Sequence, residues 1–256
     1  MNPAGPLAGL GIVLTRPRSQ SLALAAPLEA EGARVLCCPS LEIVPMEPEG
    51  ASAAALAGLG EARFAIFVSA NAVLHGLAAA RRLGRWPDAV TAATVGEATA
   101  TALRESGVGS VIAPSGRADS EALLALPQLQ AVEGAPIIIF RGVGGREHLK
   151  AALESRGARV NYVECYRRMR PATDPAEARS AIERGEIHAV HAMSAESVEN
   201  FGAILGPAVS LDALALVVPH EAIGRSPARA RFGRLIVAGP GPRGVVDALL
   251  NLRKVA

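Results

Sequence analysis

Aromatic residues make up only 3% of this 256-residue chain, with one tryptophan and two tyrosines. Few side chains are therefore available to stack on bases, and a net charge of +2 is too small for a broad basic field, so both observations argue against a nucleic-acid binder. Apolar runs of the roughly 18 residues needed to span a bilayer are also missing. The opening MNPAGPLAGLGIVLTR has no basic segment ahead of its apolar stretch, so it reads as a first strand and not as an export signal. No membrane contact is expected, and the expected compartment is the cytoplasm. Cysteine is scarce: Cys37, Cys38 and Cys165 are odd in number and lack metal spacing, which suits a reducing compartment and small core residues. Lysine is nearly absent, occurring only as Lys150 and Lys254 among 26 cations. The arginines that replace it suit bidentate carboxylate recognition, although a GC-biased genome is the simpler account.

Several chemical signatures are missing as well. No GxxxxGK[ST] loop occurs, and neither a metal set, a nucleophile elbow nor a Ser/His/Asp arrangement can be assembled. Gly239, Gly241 and Gly244 do have GxGxxG spacing, but Pro240 and Pro242 fill two variable positions. No later strand follows to carry a ribose-binding acid, so a dinucleotide site is not expected there. His188 and His191 stand three apart on an apparent strand, which puts them on opposite faces and makes them core or partner histidines. His75, His148 and His220 are isolated, with His148 expected on a helix surface.

What is present is a core and a repeat. Half the residues are hydrophobic and the mean hydropathy is +0.28, enough to bury one large or two small domains. GIVLTRPRSQSLALAAPLEAEGARV, from Gly11, aligns without a gap over PIIIFRGVGGREHLKAALESRGARV, from Pro136, at an offset of 125 residues. Arg16 meets Arg141, Leu28 meets Leu153, and GARV recurs at 32–35 and 157–160. The same offset matches FAIFVSANAV (64–73) with AVHAMSAESV (189–198). A duplication of this length predicts two similar lobes and not a short solenoid.

In each half, short β-branched runs alternate with stretches of helical apolar spacing, a βα series that predicts parallel sheets with helices on both faces. The fold class expected is thus α/β, with two similar doubly wound parallel-sheet lobes joined by a two-stranded β-ladder linker. PSLEIVP (39–45) and VECYRRMRP (163–171) supply that ladder: they occupy matched places after the second strand of each half, are extended, and end at proline. Crossing there would let each half give its first βαβ unit to the opposite lobe.

Ligands of such sheets sit beyond the carboxyl ends of the strands, where helix N-termini converge. The donors there are Arg16, Ser69, Asn71, Thr99, Arg141, Arg146, Ser194 and Ser197, with the backbone N–H of Gly142 and of free helix starts. Singly, a serine or threonine at such a junction is an ordinary N-cap. Collectively they point to a large anionic ligand held in a cleft. Tyr166, on the second connector, would either overlook that cleft or pack between the lobes, while Arg167, Arg168 and Arg170 form a solvated face.

Taken together, TRP (15–17), EAEGARVLCCPSLEIVP (29–45), FVSANAV (67–73), TVGEATATALRESGV (94–108), RGVGGREHL with ESRGARVNYVECYRR (141–168) and MSAESVENF (193–201) resemble the uroporphyrinogen-III synthase family. The order and spacing of these segments carry the resemblance across nearly the whole chain. It implies a first lobe of residues 1–37 plus 172–256, a second of 38–171, and a ladder near 38–45 and 164–171. It also implies a cofactor-free lyase that takes linear hydroxymethylbilane, inverts its last pyrrole ring and closes the macrocycle with loss of water. The anion would then be carboxylate, Tyr166 would assist the departing hydroxyl, and the strand-end donors would bind substrate. The expected partners are that small molecule and, transiently, the preceding pathway enzyme, with the chain itself a monomer. Where the family commonly has threonine before the strand-top serine, this chain has Val68 and Met193, which shifts the binding onto backbone N–H groups. The alternative readings are a non-catalytic two-lobed sensor of a small acid and a nucleotide-dependent transferase.

Overall fold

The computed structural model describes residues 5–145 and 147–253. The chain opens with β1 (Gly11–Leu14), α1 (Arg18–Ala30), β2 (Arg34–Cys37) and β3 (Glu42–Pro45). Next come α2 (Gly50–Ala57), β4 (Phe64–Phe67), α3 (Ala70–Arg81), β5 (Thr91–Thr94), α4 (Glu97–Glu105), β6 (Val111–Ile112) and α5 (Ser120–Leu124). The second copy of the repeat begins at β7 (Pro136–Gly142), followed by α6 (His148–Glu154), β8 (Arg159–Met169), α7 (Ala176–Glu183) and β9 (Ala189–His191). It closes with α8 (Ala195–Leu205), β10 (Leu211–Val218), β11 (Phe232–Val237) and α9 (Gly241–Arg253).

Contacts divide the chain into two compact units: residues up to Glu42 together with those from Met169 onward, and Ile43–Arg168. The sheet of the first unit runs β2-β1-β9-β10-β11, and its pairs are parallel. The sheet of the second runs β3-β8-β7-β4-β5-β6, parallel from β8 to β6. Setting β3 aside, the two orders are the same once each strand is replaced by its counterpart 125 residues away. Each sheet therefore joins the first βαβ of one repeat to the later strands of the other: β1 of the first copy pairs with β9 of the second, and β7 with β4. The doubly wound α/β class and the duplication read from the sequence are what the structure contains. β8 runs unbroken for 11 residues into the connector, with β3 as its neighbour at the sheet edge.

Successive strand residues point to opposite faces, and the buried side chains sort by that rule. In the first unit Ile12, Leu14, Ala189, Ala215 and Val217 pack with α1 and α9, whereas Val13, Val190, Leu216 and Val218 pack with α7 and α8. In the second, Phe64, Ile66, Ile137 and Ile139 face α5 and α6, while Ala65, Phe67, Ile138 and Phe140 face α2, α3 and α4. Both faces of every central strand are covered, which is why the runs IVL and IIIF lack polar alternation. Each valine, leucine, isoleucine or phenylalanine among them contributes about 1.5–3 kcal/mol by leaving water. Phe67 and Phe140 lie opposite each other in register and stack at 4.6 Å.

The GxGxxG spacing near the C-terminus also has a packing explanation. Gly244, in the first turns of α9, lies so close to the preceding strand end that an added Cβ would stand 2.1 Å from the Gly239 carbonyl oxygen. Only hydrogen fits, and that approach seats Val245, Val246 and Leu249 in the core. Gly244→Ala should therefore destabilise the protein by about 1–3 kcal/mol, as overpacking against rigid backbone does, measured as a lowered midpoint in denaturant unfolding.

Candidate functional site

Each sheet has one place where the order of its strands reverses. In the first unit this lies between β1 and β9, because α1 and α8 leave toward opposite faces of the sheet. In the second it lies between β7 and β4, followed by α6 and α3. The diverging helices leave a crevice at the carboxyl ends, the usual ligand position in open parallel sheets. Arg16 and Arg141 stand at these two corresponding points, but their surroundings differ.

At the reversal in the first unit there is a cavity of about 450 Å³ lined by Arg16, Gln20, His191, Met193, His220 and the turn 239–241, among others. Arg16 follows the end of β1 and is half-buried, which lowers its pKa through desolvation; a guanidinium stays charged regardless. Its Nη2 donates to Gln20 Oε1 at 3.0 Å, one helical turn on. Thr15 donates from both N–H (3.2 Å) and Oγ1 (2.9 Å) to the carbonyl of His191, fixing the end of β9 against β1. His191 is 3% exposed. Burial first, and the Arg16 charge second, push its pKa down to about 4, so the imidazole is neutral near pH 7. Its Nδ1 has no hydrogen-bond partner.

At the reversal in the second unit, β7 and β8 are longer than β1 and β2 and pair farther, so Arg141 lies within the sheet opposite Glu164. It is 5% exposed. Its guanidinium donates to Glu147 at 2.9 Å, to the Gly145 carbonyl at 2.6 Å and to the Gly142 carbonyl at 3.2 Å, and it lies 4.1 Å from the Tyr162 ring centroid. The hydrogen bond from Arg141, then that from Tyr162, holds the Glu147 carboxyl below the usual range. Burial, reinforced by the bond to Glu147, pushes Tyr162 up to about 12. Arg141 thus carries its own counter-ion and acceptors.

A register shift between Arg141 and Gly142 sets Tyr166 opposite Gly142. A Cβ on Gly142 would stand 2.5 Å from the tyrosine ring, so the glycine makes room for the side chain. Tyr166 is 1% exposed and belongs to the apolar cluster of the second unit; the His75 ring lies 5.7 Å away. Its hydroxyl meets Ser69 Oγ at 3.1 Å.

Ser69 and Ser194 occupy matched N-caps, accepting from the N–H of Ala72 and of Ser197 at 3.1 Å each. Asn71 is half-buried in the first turn of α3. Thr99 is 9% exposed in the first turn of α4. Ser197 is 3% exposed, and its carbonyl accepts from Ser40 Oγ at 2.9 Å. Arg146 lies outside the described residues. The sequence's donors therefore fall around two separate reversal points, Arg16 with Ser194 and Ser197 in the first unit and Ser69, Asn71, Thr99, Arg141 and Gly142 in the second. The arginines Arg167, Arg168 and Arg170 are exposed. No group of three or more His, Cys, Asp or Glu residues among those described is placed to hold a metal ion. Burial pushes Cys38 up to about 11 and Cys165 up to about 12, so neither is a nucleophile near neutrality.

Sequence reasoning set His188 and His191 aside together, but the structure separates them. His188 Nδ1 accepts from the Gly11 N–H at 3.0 Å, a partner histidine, whereas His191 lines the cavity. The signal was available: His191 aligns with Ile66, a titratable residue where the sister strand has an apolar one. Gln20 was missed too, although its spacing from Arg16 is one helical turn.

A family model described as Uroporphyrinogen-III synthase HemD matches residues 23–238. The chain is 38% identical over 169 residues to a uroporphyrinogen-III synthase of Salmonella typhimurium, covering 66% of this chain and 69% of that one. It is 31% identical over 197 residues to the enzyme of the same name from Escherichia coli, covering 77% and 80%. Among solved structures, a mutant uroporphyrinogen III synthase from Thermus thermophilus superposes with a TM-score of 0.64 at 18% identity, over 96% of this chain and all of that one. The Helicobacter pylori protein superposes with 0.59 at 13% identity, over 96% and 99%.

Two outcomes follow from the geometry. Arg141→Ala removes a buried hub of charged hydrogen bonds and should cost about 2–3 kcal/mol, read from denaturant unfolding. The lowered pKa of His191 means the unfolded chain binds a proton in the window from about 6.5 down to about 4 that the folded chain refuses. Stability from this group is thus lost as pH falls through that window, by about 3 kcal/mol at most. His191→Ile should flatten this part of the profile, so that its melting temperature gains on the wild type more at pH 5 than at pH 8.

Proposed function

We propose, from the premise that the chain belongs to the uroporphyrinogen-III synthase family, that it converts linear hydroxymethylbilane into uroporphyrinogen III. It is a ring-closing lyase of tetrapyrrole biosynthesis. The observation that carries this reading is the family match across residues 23–238, which includes the reversal point between β7 and β4 and the β9 side of the one between β1 and β9.

The chemistry is a contest between two closures. Loss of the terminal hydroxyl leaves an azafulvene cation. Direct attack on it by the free position of the last ring gives the uninverted isomer. Attack by the substituted carbon gives a spiro intermediate that fragments and recloses with that ring turned over. The protein must hold the chain so that the substituted carbon reaches first, a demand on positioning as much as on rate. The substrate's acetate and propionate carboxylates are the handles. Arg16 and the N–H groups at the starts of α3, α8 and α9 are suited to them by charge and direction. Asn71, Thr99, Ser197, Gly142 and Arg146 are assigned to substrate carboxylates as well.

Tyr166 is assigned as the donor to the departing hydroxyl. In support, Ser69 Oγ already accepts from the Ala72 N–H, so its own proton can go to the Tyr166 oxygen and leave the phenolic proton free for the leaving group. Such assistance is typically worth about 10²–10⁴ in rate. The enzyme is read as a monomer acting in the cytoplasm and meeting the preceding pathway enzyme transiently. No helix among the described residues is long and apolar enough to cross a membrane.

Purified protein given enzymically generated hydroxymethylbilane should yield the inverted isomer, identified chromatographically after oxidation to porphyrin. Product consisting of the uninverted isomer alone would overturn the reading in favour of a binding protein. Tyr166→Phe should slow turnover at least 100-fold while the thermal midpoint falls only a little; undiminished turnover would remove Tyr166 from the mechanism.

A further inference from the structure

The two repeats put chemically opposite residues at the same position. Ile66 is the third residue of β4, and at the offset of 125 its counterpart is His191, the last residue of β9. Ile66 is fully buried among the apolar side chains facing α5 and α6. His191 is 3% exposed and also lies on a sheet face, yet it lines a cavity and leaves Nδ1 without a partner. An orphaned buried polar atom costs about 1–3 kcal/mol, and the sister strand shows that an aliphatic side chain closes this position without that cost. Arg16 and Arg141 form a second contrast. Arg141 is saturated by Glu147 and two carbonyls, whereas the only side-chain acceptor of Arg16 among the described residues is the neutral Gln20.

We propose that the cavity between the ends of β1 and β9 receives one carboxylate-bearing pyrrole ring of the substrate, its carboxylate held by Arg16 and by a neutral hydrogen bond from His191 Nε2. This rests on the reading of the substrate as a linear tetrapyrrole and assigns one ring of it to a place. A bare lone pair is easier to bury than a bare N–H, so the unpartnered Nδ1 is the unprotonated nitrogen and Nε2 carries the proton. Burial and the Arg16 charge keep the ring neutral, so it donates without adding a second cation. No Asp or Glu lines the cavity, hence an entering carboxylate meets no like charge. Leu24, Met193, Pro219 and Val245 supply an apolar wall for the ring itself, and the volume falls in the range of pockets for small organic ligands. Of the two related arginines, only the one in the first unit is free to grip an anion. His191 is thus a positioning residue that sets ring orientation.

The test combines kinetics with a readout that needs no turnover. In steady-state assays on hydroxymethylbilane, His191→Ile should raise KM at least tenfold with a smaller change in kcat, with no loss of thermal stability. His191→Gln, which keeps an N–H donor, should recover most of that loss, and Arg16→Met should raise KM by a similar factor. In parallel, ¹⁵N-histidine spectra of the wild type should show the His191 nitrogens shifting on titration with porphobilinogen, a single pyrrole bearing acetate and propionate; Arg16→Met should abolish the shift. Unchanged KM in His191→Ile, no shift in His191, or a glutamine variant as poor as the isoleucine one would each overturn the proposal. If the wild type forms no inverted isomer and the shift is still seen, the pocket stands and the activity reading falls. Inverted product without the shift has the opposite meaning.

Discussion

The parallel ladder between β1 and β9 is the interaction on which the candidate site depends. It joins the first strand of the chain to one in the last third, with Ile12 opposite Ala189 and Leu14 opposite His191, and Thr15 ties the end of it with two further bonds to the His191 carbonyl. Closing a loop of that length costs little more entropy than closing a shorter one, because the cost grows only logarithmically with length. The return is a central strand pair buried on both faces. The pairing also creates the reversal of strand order, and with it the crevice where Arg16 and His191 meet. The sister ladder, β7 with β4, does the same within a continuous segment.

Duplication supplied two such crevices, and they have diverged in polarity. In the second unit the longer β7 and β8 carry the strand pairing past the reversal point, drawing Arg141 into the sheet beside Glu164 and Glu147. The counterpart of Arg16 is the hub of a protein-internal network, and the register shift next to it seats Tyr166 over Gly142. In the first unit β1 and β2 stop after four residues, so Arg16 emerges beyond the sheet. The same residue type at the same repeat position is therefore a support in one unit and an available cation in the other.

Much of the fold was legible in the sequence because repeat and periodicity are local signals. IVL, FAIF and PIIIF are strands because uninterrupted β-branched and aromatic runs suit a sheet covered on both faces. The matched serines 69 and 194 were open to a capping role, and both are caps, since a hydroxyl at a strand-to-helix junction has an unpaired helix N–H within reach. The GxGxxG spacing carried no expectation of a dinucleotide loop. What it encodes instead, the close approach of α9 to Gly239, is a distance between segments and has no one-dimensional signature. Tyr166 read as a residue overlooking a cleft or packing between lobes, but its ring is in the core of the second unit, with its tip at the start of α3.

By itself the sequence determined the class of fold, the duplication, the order of strands and helices, and the set of donors that end up at strand termini. These follow from composition, period and internal similarity, which act over a few residues or between aligned copies. Only the tertiary structure decided which of those donors are free. Whether an arginine meets a glutamate or an open cavity depends on how far its strands pair, and whether a histidine such as His188 finds a backbone N–H or one such as His191 is left without a partner depends on neighbours more than a hundred residues away. Burial and charge balance are set by those neighbours, and they decide which side chains can act on a ligand.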